Sequence, residues 1–252
     1  MQYNWNWGIF LQPAPDGTGA YWWWLVTGLG WTLATALSAW IIALTVGSIV
    51  GTLRTTPNRW VVLAGNAYVE IFRNVPLLVQ MFLWYFVLPE VLPGAFGEAM
   101  KQMPPPWGSF CPALLCLGFY TSARVAEQVR AGIQSLPRGQ TMAATALGLT
   151  LPQTYRYSLL PQAFRIILPP LTSEFMNIMK NSSVALTIGL VELTARARAI
   201  QEFSFQVFEA FTAATLIYVA VTLIVVFGMR YVEKMVQVPG LISAGGVPMA
   251  GH

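Results

Sequence analysis

The sequence predicts an all-α integral membrane protein of about five transmembrane helices, with the N-terminus outside and the C-terminus inside. Three observations predict it. The 252 residues are 56% hydrophobic and only 10% charged, whereas a soluble domain carries about a quarter charged residues. The apolar residues come in runs long enough to cross a hydrocarbon layer, so the bilayer is the solvent. The cations also sort by side. Arg54, Arg59, Arg130, Arg138, Arg156, Arg165, Arg230 and Lys234 lie between or beyond the runs on one side, against Lys101, Arg196 and Arg198 on the other. That excess belongs in the cytoplasm. The length permits a single membrane domain, residues 1–252, without a second soluble one.

Residues 1–21 contain no lysine or arginine but hold Trp5, Trp7 and Tyr21, followed by Trp22, Trp23 and Trp24. A secretory signal needs a basic start. These aromatic residues fit the headgroup level of an outside N-terminus. The first span runs from Trp24 to Leu53 and is longer than the roughly 30 Å hydrocarbon layer, so it tilts or protrudes. Gly47 and Gly51 form a small-xxx-small step for close helix approach. A short inside turn, Arg54 to Arg59, contains Pro57.

Trp60 to Leu92 carries the polar residues Asn66, Glu70, Arg73, Asn74 and Gln80, and is interrupted by Pro76. Proline removes an amide donor and breaks or kinks a helix. Two pictures fit. Either the span starts at Asn74 behind an inside helix, or a broken helix carries Glu70 and Arg73 into the bundle. Pro93 to Trp107 is an outside loop, and a third span runs from Phe110 to Glu127. A fourth, Ile166 to Leu190, includes the polar run Lys180-Asn181-Ser182-Ser183. Arg196 to Glu209 is outside. Phe211 to Met229 is the cleanest apolar run, anchored inside by Arg230 and Lys234.

Between the third and fourth spans lies a less apolar stretch, Gly139 to Pro161. It reads as two short helices with a break. Gly148 is placed to end the first, since glycine tolerates the left-handed conformation of a helix stop. Thr150 can cap the second, with Pro152 in its first turn where no amide hydrogen is required. Ala143, Ala144 and Ala146 keep the first helix thin enough to enter a groove on another protein.

Several chemistries are excluded. No phosphate-binding G-x-x-x-x-G-K-[ST] loop is present, so the chain does not hydrolyse ATP by that route. It has no H-E-x-x-H and no G-x-S-x-G, and it looks like no enzyme. His252, the only histidine, ends the chain, which argues against a histidine metal site. Cys111 and Cys116 read as packing residues. The net charge of +4 is spread too thinly for nucleic acid.

Ionisable residues inside spans usually face the bundle interior or a cavity. Arg124, Glu127 and Arg130 share one helix face by their spacing. They form a self-neutralising triplet, or leave Arg124 free to hold a carboxylate by two parallel hydrogen bonds. Glu70 and Arg73 either neutralise each other or meet the two charged groups of an amino acid. Lys180, Asn181 and Ser182 make a polar helix contact or line a pore.

The Gly139–Pro161 stretch resembles the E-A-A loop of permease subunits in ABC importers. That pattern is E-A-A, three residues, G, nine residues, then I-x-L-P. Ala143, Ala144, Gly148, Leu160 and Pro161 fall on it in register, preceded by Gly139 and Gln140. Met142 stands in place of the glutamate and Ser158 in place of the isoleucine. Y-V-E-I-F-R-N-V-P-L-L-V-Q from Tyr68, R-V-A-E-Q-V-R-A-G-I-Q-S-L-P-R-G-Q from Arg124 and K-N-S-S-V-A-L-T-I-G-L-V-E-L from Lys180 are similar to permeases for polar amino acids.

That resemblance covers residues 28–232 and implies a type I ABC importer permease bundle in a bacterial inner membrane. It implies a second, similar permease subunit, a pair of ATPase subunits that hold the ATP and Mg, and a periplasmic amino-acid-binding protein. This chain itself needs no cofactor. The implied coupling residues are Gly139, Gln140, Ala143, Ala144, Gly148, Leu160 and Pro161. The candidate substrate residues, from their charge and polarity within the spans, are Arg124, Glu127, Glu70, Arg73 and Asn181. Many family members have an aromatic residue where this chain has Arg124, which points to acidic cargo, glutamate or aspartate. Another polar amino acid such as glutamine is the alternative within the family. An ion-coupled secondary transporter is the alternative outside it; inverted repeats would favour that reading, and the sequence has none.

Overall fold

Proline, glycine and side-chain caps cut the apolar runs into helices. The computed structural model describes residues 3–236; His252 and the C-terminus expected inside lie outside the described residues. A short 3-10 turn, Trp7–Leu11, leads to α1, Tyr21–Leu53. Its 33 residues make about 50 Å of helix, well beyond the hydrocarbon layer. Trp24 does not sit with its neighbours at a headgroup surface. It is buried, donates its indole hydrogen to Asp16 at 2.9 Å, and lies under the Arg196 guanidinium at 5.0 Å.

Asn58 caps α2, Arg59–Asn74, by accepting from the amides of Trp60 (3.0 Å) and Val61 (3.4 Å). Before Pro76, Val75 is extended, as a residue preceding proline prefers. The chain then turns through 100° into α3, Leu77–Phe82, which runs through a π-turn (Leu83–Val87) into α4, Leu88–Val91. Gln80 is buried in this corner and donates to the Phe72 and Val75 carbonyls at 2.8 and 2.9 Å. The side chain thereby satisfies acceptors that the proline break leaves open. The helix is broken at Pro76, but the break does not carry Glu70 and Arg73 into the bundle, since both stay exposed.

Helix α5, Gly94–Lys101, precedes α6, Trp107–Gln134, which outruns the expected Phe110–Glu127 at both ends. Next comes α7, Arg138–Ala146, and Gly148 is left-handed at φ +77°. Thr150 and Gln153 form a reciprocal capping box on α8, Leu151–Thr154. A π-turn, Tyr155–Leu159, then feeds α9, Leu160–Asn181.

The fourth apolar run does not continue as one helix to Leu190. It stops at Asn181, passes through a 3-10 segment, Ser182–Ile188, and ends on Gly189 at φ +84°. The polar run is at the break. Ser182 and Ser183 donate back to the carbonyls of Met179 and Lys180, both at 2.7 Å. Such back-bonding competes with helix continuation. The expected outside loop Arg196–Glu209 also differs. It holds α10, Leu193–Ser204, capped by the buried Glu192, and the start of α11, Val207–Val236.

The core lies where α1 crosses α6. Ala36, Ala39 and Ala43 on α1 are fully buried against it and its neighbours. A methyl added at Gly47 would lie 2.6 Å from Val125 Cβ and 2.7 Å from the Ser122 carbonyl. At Gly51 it would lie 2.6 Å from the Ala126 carbonyl. The small-xxx-small step thus sets the separation of the two helices. Gly47→Val is expected to cost about 1–3 kcal/mol by overpacking, read as a lower thermal midpoint in detergent. An unchanged midpoint would remove the constraint. Among the described residues, α1 and α11 are the helices long and apolar enough by themselves to cross a membrane, joined by the bent pair from α2 to α4 if that counts as one span. Helices α6 and α9 have 28 and 22 residues but carry charged side chains.

Candidate functional site

Glu127 and Arg124 on α6 find their counter-charges on other helices and not on one another, and among the described residues Arg130 has no ion-pair partner. Glu127 accepts from Arg54 at the C-terminal end of α1 (2.8 Å) and lies 3.5 Å from Arg73 on α2. The Arg54 side chain is only 4% exposed, and its Nε donates to Asn66 on α2 at 2.8 Å. Gly65 makes room for it, since a methyl there would lie 2.6 Å from Arg54 Cγ. The expected triplet of Arg124, Glu127 and Arg130 is therefore not formed. Helix spacing puts the three side chains near one face, but the partners arrive from α1 and α2 for Glu127 and from α9 for Arg124. The expected Glu70–Arg73 pair is likewise absent among the described residues. Arg73 turns to Glu127, and Glu70 points outward.

Arg124 is set apart from that network. It donates to the Tyr120 hydroxyl at 2.8 Å, with its guanidinium 5.0 Å from that ring's centre. Across from it on α9 stands Glu174, 4.0 Å away, with side-chain exposures of 41% for Arg124 and 12% for Glu174. Glu174 Oε2 has no hydrogen-bond partner. Asn181, half-buried, is two helical turns further along α9, on the Glu174 face. The result is an exposed cation beside a sheltered anion with spare acceptor capacity. An amino acid presents the complementary pair, a carboxylate and an ammonium.

Sequence reasoning passed over Glu174, although a carboxylate in an apolar run is itself a signal. Arg54 was read only as an inside anchor. Its burial depends on Gly65, Asn66 and Glu127 arriving from two other helices, which no local pattern reveals. Glu192, the N-cap of α10, was also missed. It accepts from the amides of Thr194 (3.0 Å) and Ala195 (2.7 Å) and from the Tyr218 hydroxyl (2.9 Å).

The second feature is the elbow formed by α7, α8 and the turn into α9. Gly139, Gln140, Ala143, Gly148 and Pro161 are exposed, Leu160 is half-buried, and Ala144 is buried. Met142 and Leu147 are 68% and 81% exposed. Two large apolar side chains project from a thin, small-residue helix on the side carrying the arginine excess. Inside the elbow, Leu159 packs with Ile133 and Leu136.

Comparison with known proteins gives a consistent picture. Residues 43–238 match the family model described as binding-protein-dependent transport system inner membrane component. The chain is 53% identical over 241 residues to the glutamate/aspartate import permease protein GltJ of Escherichia coli (strain K12), covering 95% of this chain and 98% of that one. It is 34% identical over 209 residues to the probable glutamine ABC transporter permease protein GlnM of Bacillus subtilis (strain 168), covering 82% and 90%. Among solved structures, a crystal structure of an amino acid ABC transporter with histidines superposes with a TM-score of 0.71 at 32% identity, over 85% of this chain and 95% of that one. An inward-facing form of the MetNI methionine ABC transporter gives 0.69 at 19% identity, over 86% and 97%; that likeness concerns the fold alone.

Proposed function

Because the chain belongs to the inner membrane components of binding-protein-dependent transport systems, we propose that it is the permease subunit through which an ATP-driven importer passes glutamate or aspartate. Its fold is the all-helical type I ABC importer permease fold. It is a membrane-embedded transport subunit and not an enzyme. In our reading α1, the bent unit α2–α4, α6, α9 and α11 make five spans within one membrane domain, with the core at residues 28–232. The N-terminus is outside and the C-terminus inside.

The observation that carries the coupling half is the exposed elbow at residues 139–161. A bundle that cannot hydrolyse ATP borrows motion from a partner, and Met142 and Leu147 are free to seat in its groove. A pair of ATPase subunits holds the ATP and Mg. A second permease subunit completes the pathway, and a periplasmic binding protein delivers the amino acid. ATP-driven closure of the ATPase pair moves the elbow, and the spans rock between outward and inward access.

For the cargo, Arg124 receives a carboxylate and Glu174 the ammonium, with Asn181 two turns along. A guanidinium is suited to a carboxylate because its two N–H bonds lie parallel. Glu127 and Arg73 are committed to the Arg54 network, and Glu70 faces away. Of the five expected substrate residues, Arg124 and Asn181 keep that role.

Co-purification followed by an ATPase assay tests this reading. An ATPase subunit should co-purify, and glutamate- or aspartate-loaded binding protein should raise ATP hydrolysis. If no ATPase subunit is recovered, the importer reading fails. If only glutamine-loaded protein stimulates, the acidic cargo fails.

A further inference from the structure

We propose that Tyr155 is the positioning residue that ties the elbow to the inner end of α1, so that elbow motion reaches the bundle through one directional bond. The inference rests on the importer reading above. The Tyr155 hydroxyl donates to the Thr55 carbonyl at 2.9 Å and lies 3.0 Å from Thr55 Oγ1. Among the described residues, this is the only side-chain hydrogen bond from segment 139–161 to the chain preceding Pro137. Thr55 Oγ1 in turn donates to the Thr52 carbonyl at 2.7 Å, within the last turn of α1.

Apart from a long bond from Gln162 on α9 to Gln140 at 3.3 Å, the elbow meets the bundle through an apolar cluster in which Leu159, Leu160 and Tyr155 join Ile133 and Leu136. Apolar contacts resist separation but are non-directional, so they tolerate sliding. A hydrogen bond weakens steeply once its angle or distance changes. Beside the bond lies an open cavity of about 600 Å³, lined by residues that include Thr55, Pro57, Arg138 and Tyr155. The elbow is therefore not packed solid against the α1–α2 turn, and the phenol is the tie across an incompletely filled junction.

The acceptor's position explains what the tie delivers. Thr55 directly follows Arg54, whose buried side chain joins α2 through Asn66 and α6 through Glu127. A displacement imposed at Thr55 thus reaches the point where three helices are fastened. On the elbow side, Tyr155 opens the π-turn Tyr155–Leu159. Such turns are frequent at functional sites in helices.

The test uses the complete complex in vesicles, with uptake and phosphate release measured on the same preparation over a panel of amino acids including glutamate, aspartate and glutamine. Tyr155→Phe removes only the hydroxyl. It is expected to assemble normally and hydrolyse ATP at the parent rate, while amino acid imported per ATP falls about fivefold or more, the low end of coupling between sites. Thr55→Val keeps the backbone acceptor and should give a smaller loss in the same ratio. An unchanged ratio in Tyr155→Phe overturns the proposal. So does a parallel loss of ATPase and uptake, or of assembled complex, because a merely structural support behaves that way. If the parent complex imports none of the amino acids under ATP, the importer reading fails and the coupling role falls with it.

Discussion

Arg124→Ala is expected to abolish glutamate uptake by the reconstituted complex while leaving its assembly intact. The two halves of this expectation have separate causes. Arg124 touches Tyr120 on its own helix and faces Glu174 at 4.0 Å; it fastens no helix tightly to another. Removing it leaves the apolar packing of α6 in place, while Glu174 loses a cation that stands only at the 4.0 Å limit of a pair. Its loss does remove the guanidinium offered to a carboxylate. A hydrogen bond to a charged group contributes about 1.5–3 kcal/mol, and 1.4 kcal/mol is tenfold in binding. Two such bonds put the loss at about a hundredfold or more. Arg124→Lys keeps the charge but not the fork and should recover only part of the uptake. Normal glutamate uptake by Arg124→Ala, scored against the amount of assembled complex, would refute the role.

Arg54→Ala is expected to act on the fold itself. Breaking a buried pair by removing one partner costs about 3–5 kcal/mol, because the remaining charge is left uncompensated. Glu127 is one-third exposed and retains Arg73 at 3.5 Å, so the lower end of that range applies. The thermal midpoint of the detergent-solubilised chain should fall clearly. The double replacement Arg54→Met with Glu127→Leu should cost less than Arg54→Ala alone, since an apolar pair of similar volume needs no partner. If Arg54→Ala melts with the parent protein, or the double variant is the less stable of the two, the pair does not hold α1, α2 and α6 together.

Local chemistry made much of this architecture readable from sequence. Gly148 is left-handed, Thr150 caps with Gln153, and Gly47 and Gly51 meet α6 at close range. Each is decided by neighbours within a few residues or by the absence of a side chain. The end of α9 was less legible because two serine hydroxyls, individually tolerated in helices, act together at Ser182 and Ser183. The charged site was hardest. Spacing along α6 correctly groups Arg124, Glu127 and Arg130, yet which of them pairs is set by side chains from α1, α2 and α9. A one-dimensional period describes a helix's own face and is silent about what stands opposite.

The strap at residues 3–20 bears on how the molecule is made. Tyr3 and the Asn6 amide bond the buried Glu209, with 203 residues separating Asn6 from its acceptor. Asp16, through Trp24, brings the same strap to Arg196 on α10. Residues synthesised early thus wait for nearly the whole chain before their acceptor exists. Contacts of such long sequence separation form late and slowly. The bonds from Tyr3 and Asn6 to Glu209 therefore act as a clasp that can shut only once the start of α11 has been made.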